Sequence, residues 1–242
     1  MNLGDDFKKF AVDKGISSMN LHQYEASITP VILEQRELRA TAVDIFSYLL
    51  SQRTLYLTGP VNQRMADIIS AELLYLDSIS SDDNRISMYL NTPGGSVPAG
   101  LTLVDSINYI KTPVDSINIG MCCSMGAVLL SAGAHRSTLP LSKVMIHMLS
   151  SQTGGHVMDQ RISMLESEKY NYILFKILAE NTKHDFYELI ELARRDLWLD
   201  SQQALEFNIV DEIILNDKSK TINHYMEGFD EYYNKEVFNT NK

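Results

Sequence analysis

The chain has 242 residues, 45% apolar and 21% charged, the balance of a folded domain rather than a disordered or fibrous one. Its 31 acidic residues outnumber 21 basic ones and give a formal charge of −10. That argues against nucleic acid as a main partner, because a polyanion requires a basic footprint.

Residues 1–29 mix charged, polar and scattered apolar positions without a period, and read as a mobile arm or removable leader. Asp5, Asp6, Lys8 and Lys9 leave that stretch no apolar core, so it does not read as a secretory signal. The spacing of Val43, Ile45, Phe46, Leu49 and Leu50 predicts a helix over 38–52. A short strand over 55–58 ends at Gly59-Pro60, and a helix follows over 64–77, with Met65, Ile68, Ile69, Leu73 and Leu76 on one face. After a polar loop at 80–84 come a strand over 86–90, the turn Thr92-Pro-Gly-Gly-Ser96 and a helix over 99–111 closed by Pro113. A strand over 116–120 then leads to a small-residue helix beginning at Ser124. Next are a strand over 143–148 and a long helix over 159–181, and residues 209–215 close the ordered part. Strands alternating with helices predict an α/β fold with a largely parallel sheet. Residues 30–215 form one domain on this reading, and 216–242 a peripheral tail.

The longest weakly polar run, Met121–Ala134, falls short of the ~20 residues a bilayer span requires. The only cysteines, Cys122 and Cys123, are neighbours and cannot close an unstrained disulfide with each other. A reducing cytoplasm is therefore the expected compartment.

Three residues point to chemistry. Ser124 stands in Gly120-Met-Cys-Cys-Ser-Met-Gly-Ala127, where a strand gives way to a helix. His147 ends Val144-Met-Ile-His, and Asp196 sits in Arg194-Arg-Asp-Leu-Trp198. A serine, a base and an orienting acid are the minimum set for nucleophilic acyl transfer. An α/β-hydrolase elbow would place glycine two residues before the serine and run Ser, Asp, His; here that position is Cys122 and the order differs. Backbone donors for an oxyanion are available from Gly95, after Pro93-Gly94, and from Met125 at the start of a helix. Singly, each feature has an ordinary explanation: Ser124 as a helix N-cap, His147 as a core histidine, Asp196 as a surface charge paired with Arg194 or Arg195, Gly94-Gly95 as a turn.

Together the motifs resemble the ClpP family, the proteolytic subunits of ATP-dependent Clp proteases, from about Pro30 to Leu215. The carrying segments are Ile32–Gln35, Asp44–Ser47, Asn91–Ser96 with Ala99-Gly100, Gly120–Ala134, Val144–His147, and Arg195-Asp196 with Ala204–Asp211. The resemblance implies a crotonase-like α/β spiral with a handle, a strand plus a long helix, used for ring stacking. It implies Ser124 as nucleophile, His147 as base, Asp196 as its partner, and the Gly95 and Met125 amides as oxyanion donors. It further implies a tetradecamer of stacked heptameric rings, no metal or organic cofactor, and an AAA+ unfoldase of the ClpX, ClpA or ClpC type that spends ATP and feeds unfolded polypeptides. Residues up to about Ser27 would correspond to a removable propeptide, and Tyr89 and Tyr109 to an unfoldase-docking pocket, although Ser87 stands where an aromatic is usual.

Three departures stand out. Met148-Leu-Ser-Ser-Gln-Thr-Gly-Gly155 lacks the Gln-Pro that usually follows the histidine and carries its glycines late. Arg194 replaces a usual acid tied to contacts between rings, and Cys122-Cys123 replaces alanines. The first two motivate an alternative: a non-catalytic or regulatory paralogue that acts in a mixed ring with a second ClpP subunit. A CoA-thioester hydratase or hydrolase of the same fold would need acid/base carboxylates, and none lies in sequence near Gly95 or Gly126.

Overall fold

Alternating burial builds the first core strands. In β3 (Thr54–Thr58) and β4 (Ile86–Thr92), Leu55, Leu57, Ile86, Met88 and Leu90 point inward, with half-buried residues between them. These strands belong to a computed structural model that describes residues 31–36, 39–81, 84–150, 154–230 and 233. The leader expected at 1–29 lies outside the described residues.

The helix expected over 38–52 is only half a helix. Arg39–Asp44 forms strand β2, an antiparallel partner of β1 (Val31–Arg36), and α1 starts at Ile45 and runs to Ser51. The alternating Ala-Thr-Ala-Val suits an extended chain, and Asp44 marks the boundary by accepting from the Ser47 N–H at 2.9 Å. Asn62 likewise caps α2 (Gln63–Ser78). Helix α3 (Val97–Tyr109) begins two residues earlier than expected, because Pro98 is compatible with a first turn.

Strand β5 (Val114–Cys123) positions the site. Its first half pairs with β6 (His135–Thr138), its second half with β7 (Lys143–Ile146), and β4 lies along its other edge. Between Leu90–Asn118 and Thr92–Cys122 the register shifts, and the fork opens there. Buried Asn118 holds the fork together: its Nδ2 donates to the Lys143 carbonyl at 3.0 Å and its Oδ1 accepts from Gly120 N.

The strand order is β3-β4-β5-β6-β9, with β9 at Glu212–Ile213; β7 and β8 (Leu197–Leu199) branch off β5. All pairs in this sheet are parallel except β7–β8, so the α/β expectation holds. Of residues 209–215, which close the ordered part in the sequence reading, only Glu212–Ile213 form a strand. Ile209 and Val210 instead pack into the core behind α7 (Ser201–Glu206).

Helix α4 (Met125–Ser131) is buried throughout, so each large apolar side chain there contributes about 1.5–3 kcal/mol. Helix α5 (Val157–Thr182) has 26 residues and is ~39 Å long. Only its second half is buried, through Leu174, Phe175, Leu178, Ala179 and Thr182. Helix α6 (Phe186–Leu192) follows it, and the last described helix is α8 (Ile222–Met226). Among the described residues no helix is long and apolar enough to cross a membrane.

Candidate active site

Ser124 sits between the end of β5 and the start of α4 with φ +54° and ψ −119°. A non-glycine residue there carries about 1–3 kcal/mol of backbone strain, which the surroundings must impose. They do so from two sides. The Ser124 N–H donates to the Met145 carbonyl at 2.8 Å, and its own carbonyl accepts from Ala127 N at 2.9 Å. Pro93-Gly94 crosses directly above: a Cβ on Gly94 would lie 2.6 Å from the Cys123 carbonyl oxygen and 2.7 Å from Ser124 Cβ. Only glycine fits there, and its φ of +90° asks for glycine as well.

The Ser124 side chain makes no capping bond to α4. Its Oγ lies 2.9 Å from His147 Nε2, so the N-cap explanation accounts for its place but not for its side chain. His147 stands one residue beyond the last β7 residue, Ile146, which pairs with Leu197 at the start of antiparallel β8. Asp196 is the residue before Leu197. The antiparallel pair thus delivers His147 and Asp196 to the same end of the sheet as Ser124, although they are far apart in sequence. His147 Nδ1 faces Asp196 Oδ1 at 3.8 Å. This is ion-pair range but not a hydrogen bond; such links in unliganded sites are often long and tighten with substrate. The His147 side chain is 25% exposed and that of Asp196 60%, so the acid stands largely in solvent.

Gly95 pairs with Val61 in a parallel bridge. Val61 N donates to Gly94 O and Ser96 N donates to Val61 O, each at 2.8 Å. That geometry turns the Gly95 N–H away from Val61. Met125 N–H heads a helix and has no intrahelical acceptor. Among the described residues neither amide is given an acceptor, and Gly94, the residue before Gly95, lies against the Ser124–Met125 backbone.

Neighbouring β5 residues point to opposite faces, so the two cysteines sit back to back as free thiols. Burial pushes the Cys122 thiol well up, with Cys123 adding to it. Burial and then the Asp196 charge push the Cys123 thiol up. Arg194 pairs with Glu191 at 2.7 Å, one turn earlier, and does not engage Asp196. The tyrosines expected at a docking pocket lie on separate elements. Tyr89 on β4 is half-buried and lies beside Tyr56 on neighbouring β3, with ring centroids 6.3 Å apart. Tyr109 at the end of α3 is 80% exposed.

Three supports escaped sequence reasoning. Buried Thr92 accepts the Gly94 N–H on its Oγ1 at 3.1 Å. Asn91 Oδ1 accepts from Met121 N at 3.2 Å. Asn171 on α5 accepts the N–H of Leu149 at 3.0 Å. The only trace of the last in the sequence is a polar residue at the head of the stripe Leu174, Phe175, Leu178.

Comparison with known proteins gives the chain a family. The family model described as Clp protease matches residues 35–217. A Bacteroides thetaiotaomicron protein named ATP-dependent Clp protease proteolytic subunit is 39% identical over 218 residues, covering 87% of this chain and 99% of its own length. Its counterpart from Bacteroides fragilis is 38% identical with the same coverage. A Streptococcus pneumoniae protein of the same name is 42% identical over 192 residues, 78% of this chain and 97% of its own.

Proposed function

The chain belongs to the Clp protease family, and on that premise we propose that it is the serine endopeptidase subunit of a chambered, ATP-dependent protease. The observation that carries this reading is the 2.9 Å contact between Ser124 Oγ and His147 Nε2, made from a strained serine backbone with an acid on the far side of the imidazole. His147 takes the Ser124 proton as Oγ attacks a peptide carbonyl. The resulting oxyanion accepts hydrogen bonds from the Gly95 and Met125 amides, each worth about 10²–10³ in rate. His147 returns the proton to the leaving amine, which departs and leaves an acyl-enzyme on Ser124. A water, deprotonated by the same imidazole, then releases the acid product. Asp196 orients the ring and balances the imidazolium charge.

Side chains and backbone amides suffice for these steps, so the proposal includes no metal or organic cofactor; ATP is spent by an AAA+ unfoldase that feeds unfolded polypeptides. Stacked heptameric rings belong to the same reading. Val157, Met158, Ile162 and Leu165 are all exposed on the unpacked half of α5, an apolar face that a second copy would cover. Two free buried cysteines fit a cytoplasmic location.

The test is probe labelling and native mass on one sample. A fluorophosphonate should label the wild-type particle and leave Ser124→Ala unlabelled in a particle of the same mass. Labelling that persists in Ser124→Ala refutes Ser124 as the nucleophile. A smaller wild-type particle that does not label favours a subunit acting only in a mixed ring, for which the Met148–Gly155 run and Arg194 are the motivating observations.

A further inference from the structure

We propose that Asn171 is a positioning residue for His147, a tether from α5 to the segment that carries the base. This inference rests on the reading of Ser124 and His147 as nucleophile and base. His147 lies beyond the β7–β8 ladder, whose last pair is Ile146–Leu197. Among the described residues, the next backbone anchor after His147 is the Leu149 N–H, which donates to Asn171 Oδ1 at 3.0 Å. The Leu149 side chain packs against the core beside it. The imidazole is thus hung between two supports, a strand pair on one side and one side-chain amide on the other.

The position of Asn171 fits that task. Residues 171, 174, 175 and 178 share one face of α5, and Leu174, Phe175 and Leu178 are buried. Asn171 heads that stripe at the level where α5 leaves the body of the protein, since the described residues before it on the helix are exposed or half-buried. A leucine there would continue the packing but leave the partly buried Leu149 N–H without an acceptor, at a cost of about 1–3 kcal/mol. The bond therefore makes the placement of the base depend on the docking of α5.

The test uses the full chain in its assembled form, with Asn171→Ala and Asn171→Asp as a pair, because a carboxylate keeps the acceptor. Asn171→Ala should lower kcat for a small peptide about tenfold, as expected when a base is displaced by a fraction of an ångström. KM and native mass should stay unchanged, and Asn171→Asp should recover most of the rate. Amide exchange over 146–150 supplies a readout independent of activity: Leu149 should be protected in wild type and Asn171→Asp and exposed in Asn171→Ala. Wild-type kcat in Asn171→Ala overturns the proposal, as does equal loss in both variants. A wild type without turnover would instead defeat the catalytic reading, and an unprotected Leu149 amide in that protein would overturn the tether itself.

Discussion

The two shoulders of the site are built to different standards. The nucleophile side is fixed several times over: half-buried Ser124 is gripped through Met145, roofed by Gly94 and seated on a helix buried along its whole length. The acid side is a solvent-facing turn. Asp196 is 60% exposed and 3.8 Å from its imidazole, and Arg194, two residues earlier, pairs with Glu191 on an exposed surface. The contrast teaches that one protomer fixes its own nucleophile, because the Met145 bond and the Gly94 contact leave its backbone no alternative, whereas the acid is held to its imidazole by a single long contact. Contacts from outside the protomer have room to act there.

The largest effect should come from breaking the rigid shoulder. Gly94→Ala places a Cβ 2.6 Å from a backbone carbonyl at a φ of +90°, where nothing can yield cheaply. Probe labelling of Ser124 should vanish, and thermal unfolding should show a loss of about 3 kcal/mol or more. Unaltered labelling would mean that the crossing of Gly94 over Ser124 does not constrain the nucleophile.

Asp196→Asn sharpens the comparison from the other side. It should lower kcat by about 10²–10⁴ yet leave the melting temperature of the assembled particle unchanged, because the side chain supports no packing. A large loss of stability would place Asp196 among the structural residues instead.

A smaller effect is expected where the sheet closes at β6–β9. The Arg136 guanidinium hydrogen bond, opposed by burial and helped by the Arg136 N–H and by nearby positive charge, holds the Asp211 carboxyl below the usual carboxylate range. A depressed folded-state pKa stabilises above the unfolded value of about 4 and is lost as pH falls through the folded value. Asp211→Asn should therefore destabilise by about 1 kcal/mol or less at neutral pH, the site being partly solvated. The difference from wild type should disappear in acid melts. A difference that persists there would assign the effect to shape rather than charge.

The smallest effect concerns the cysteines. Their raised thiol pKa values keep both protonated at pH 7. Iodoacetamide should alkylate neither in the native particle, and both once it is unfolded, as read by intact mass.

Much of this molecule was legible without coordinates. The helical spacing of Met65, Ile68, Ile69, Leu73 and Leu76 and the alternation in β4 report burial directly, since period and exposed face are local properties of the chain. The serine, the histidine, the acid and the glycine pair could be named because few residue types perform that chemistry. Strand β2 reads as helix in the sequence because Val43 stands in helical register with Phe46 and Leu50, and the Asp44 cap that separates the two elements is a single residue. The length of β5 and its fork were also illegible, since they depend on Asn118 bridging to Lys143, 25 residues away.

The sequence by itself therefore determined the α/β alternation and the identity of the chemical groups, because periodicity and side-chain chemistry are written residue by residue. Tertiary structure alone decided that β7 and β8 run antiparallel, which sets His147 and Asp196 side by side. It also decided that Gly94 roofs Ser124 and that Asn171 takes the Leu149 amide. Each of these joins residues distant in the chain, and such pairings follow from how the whole core closes rather than from any local pattern.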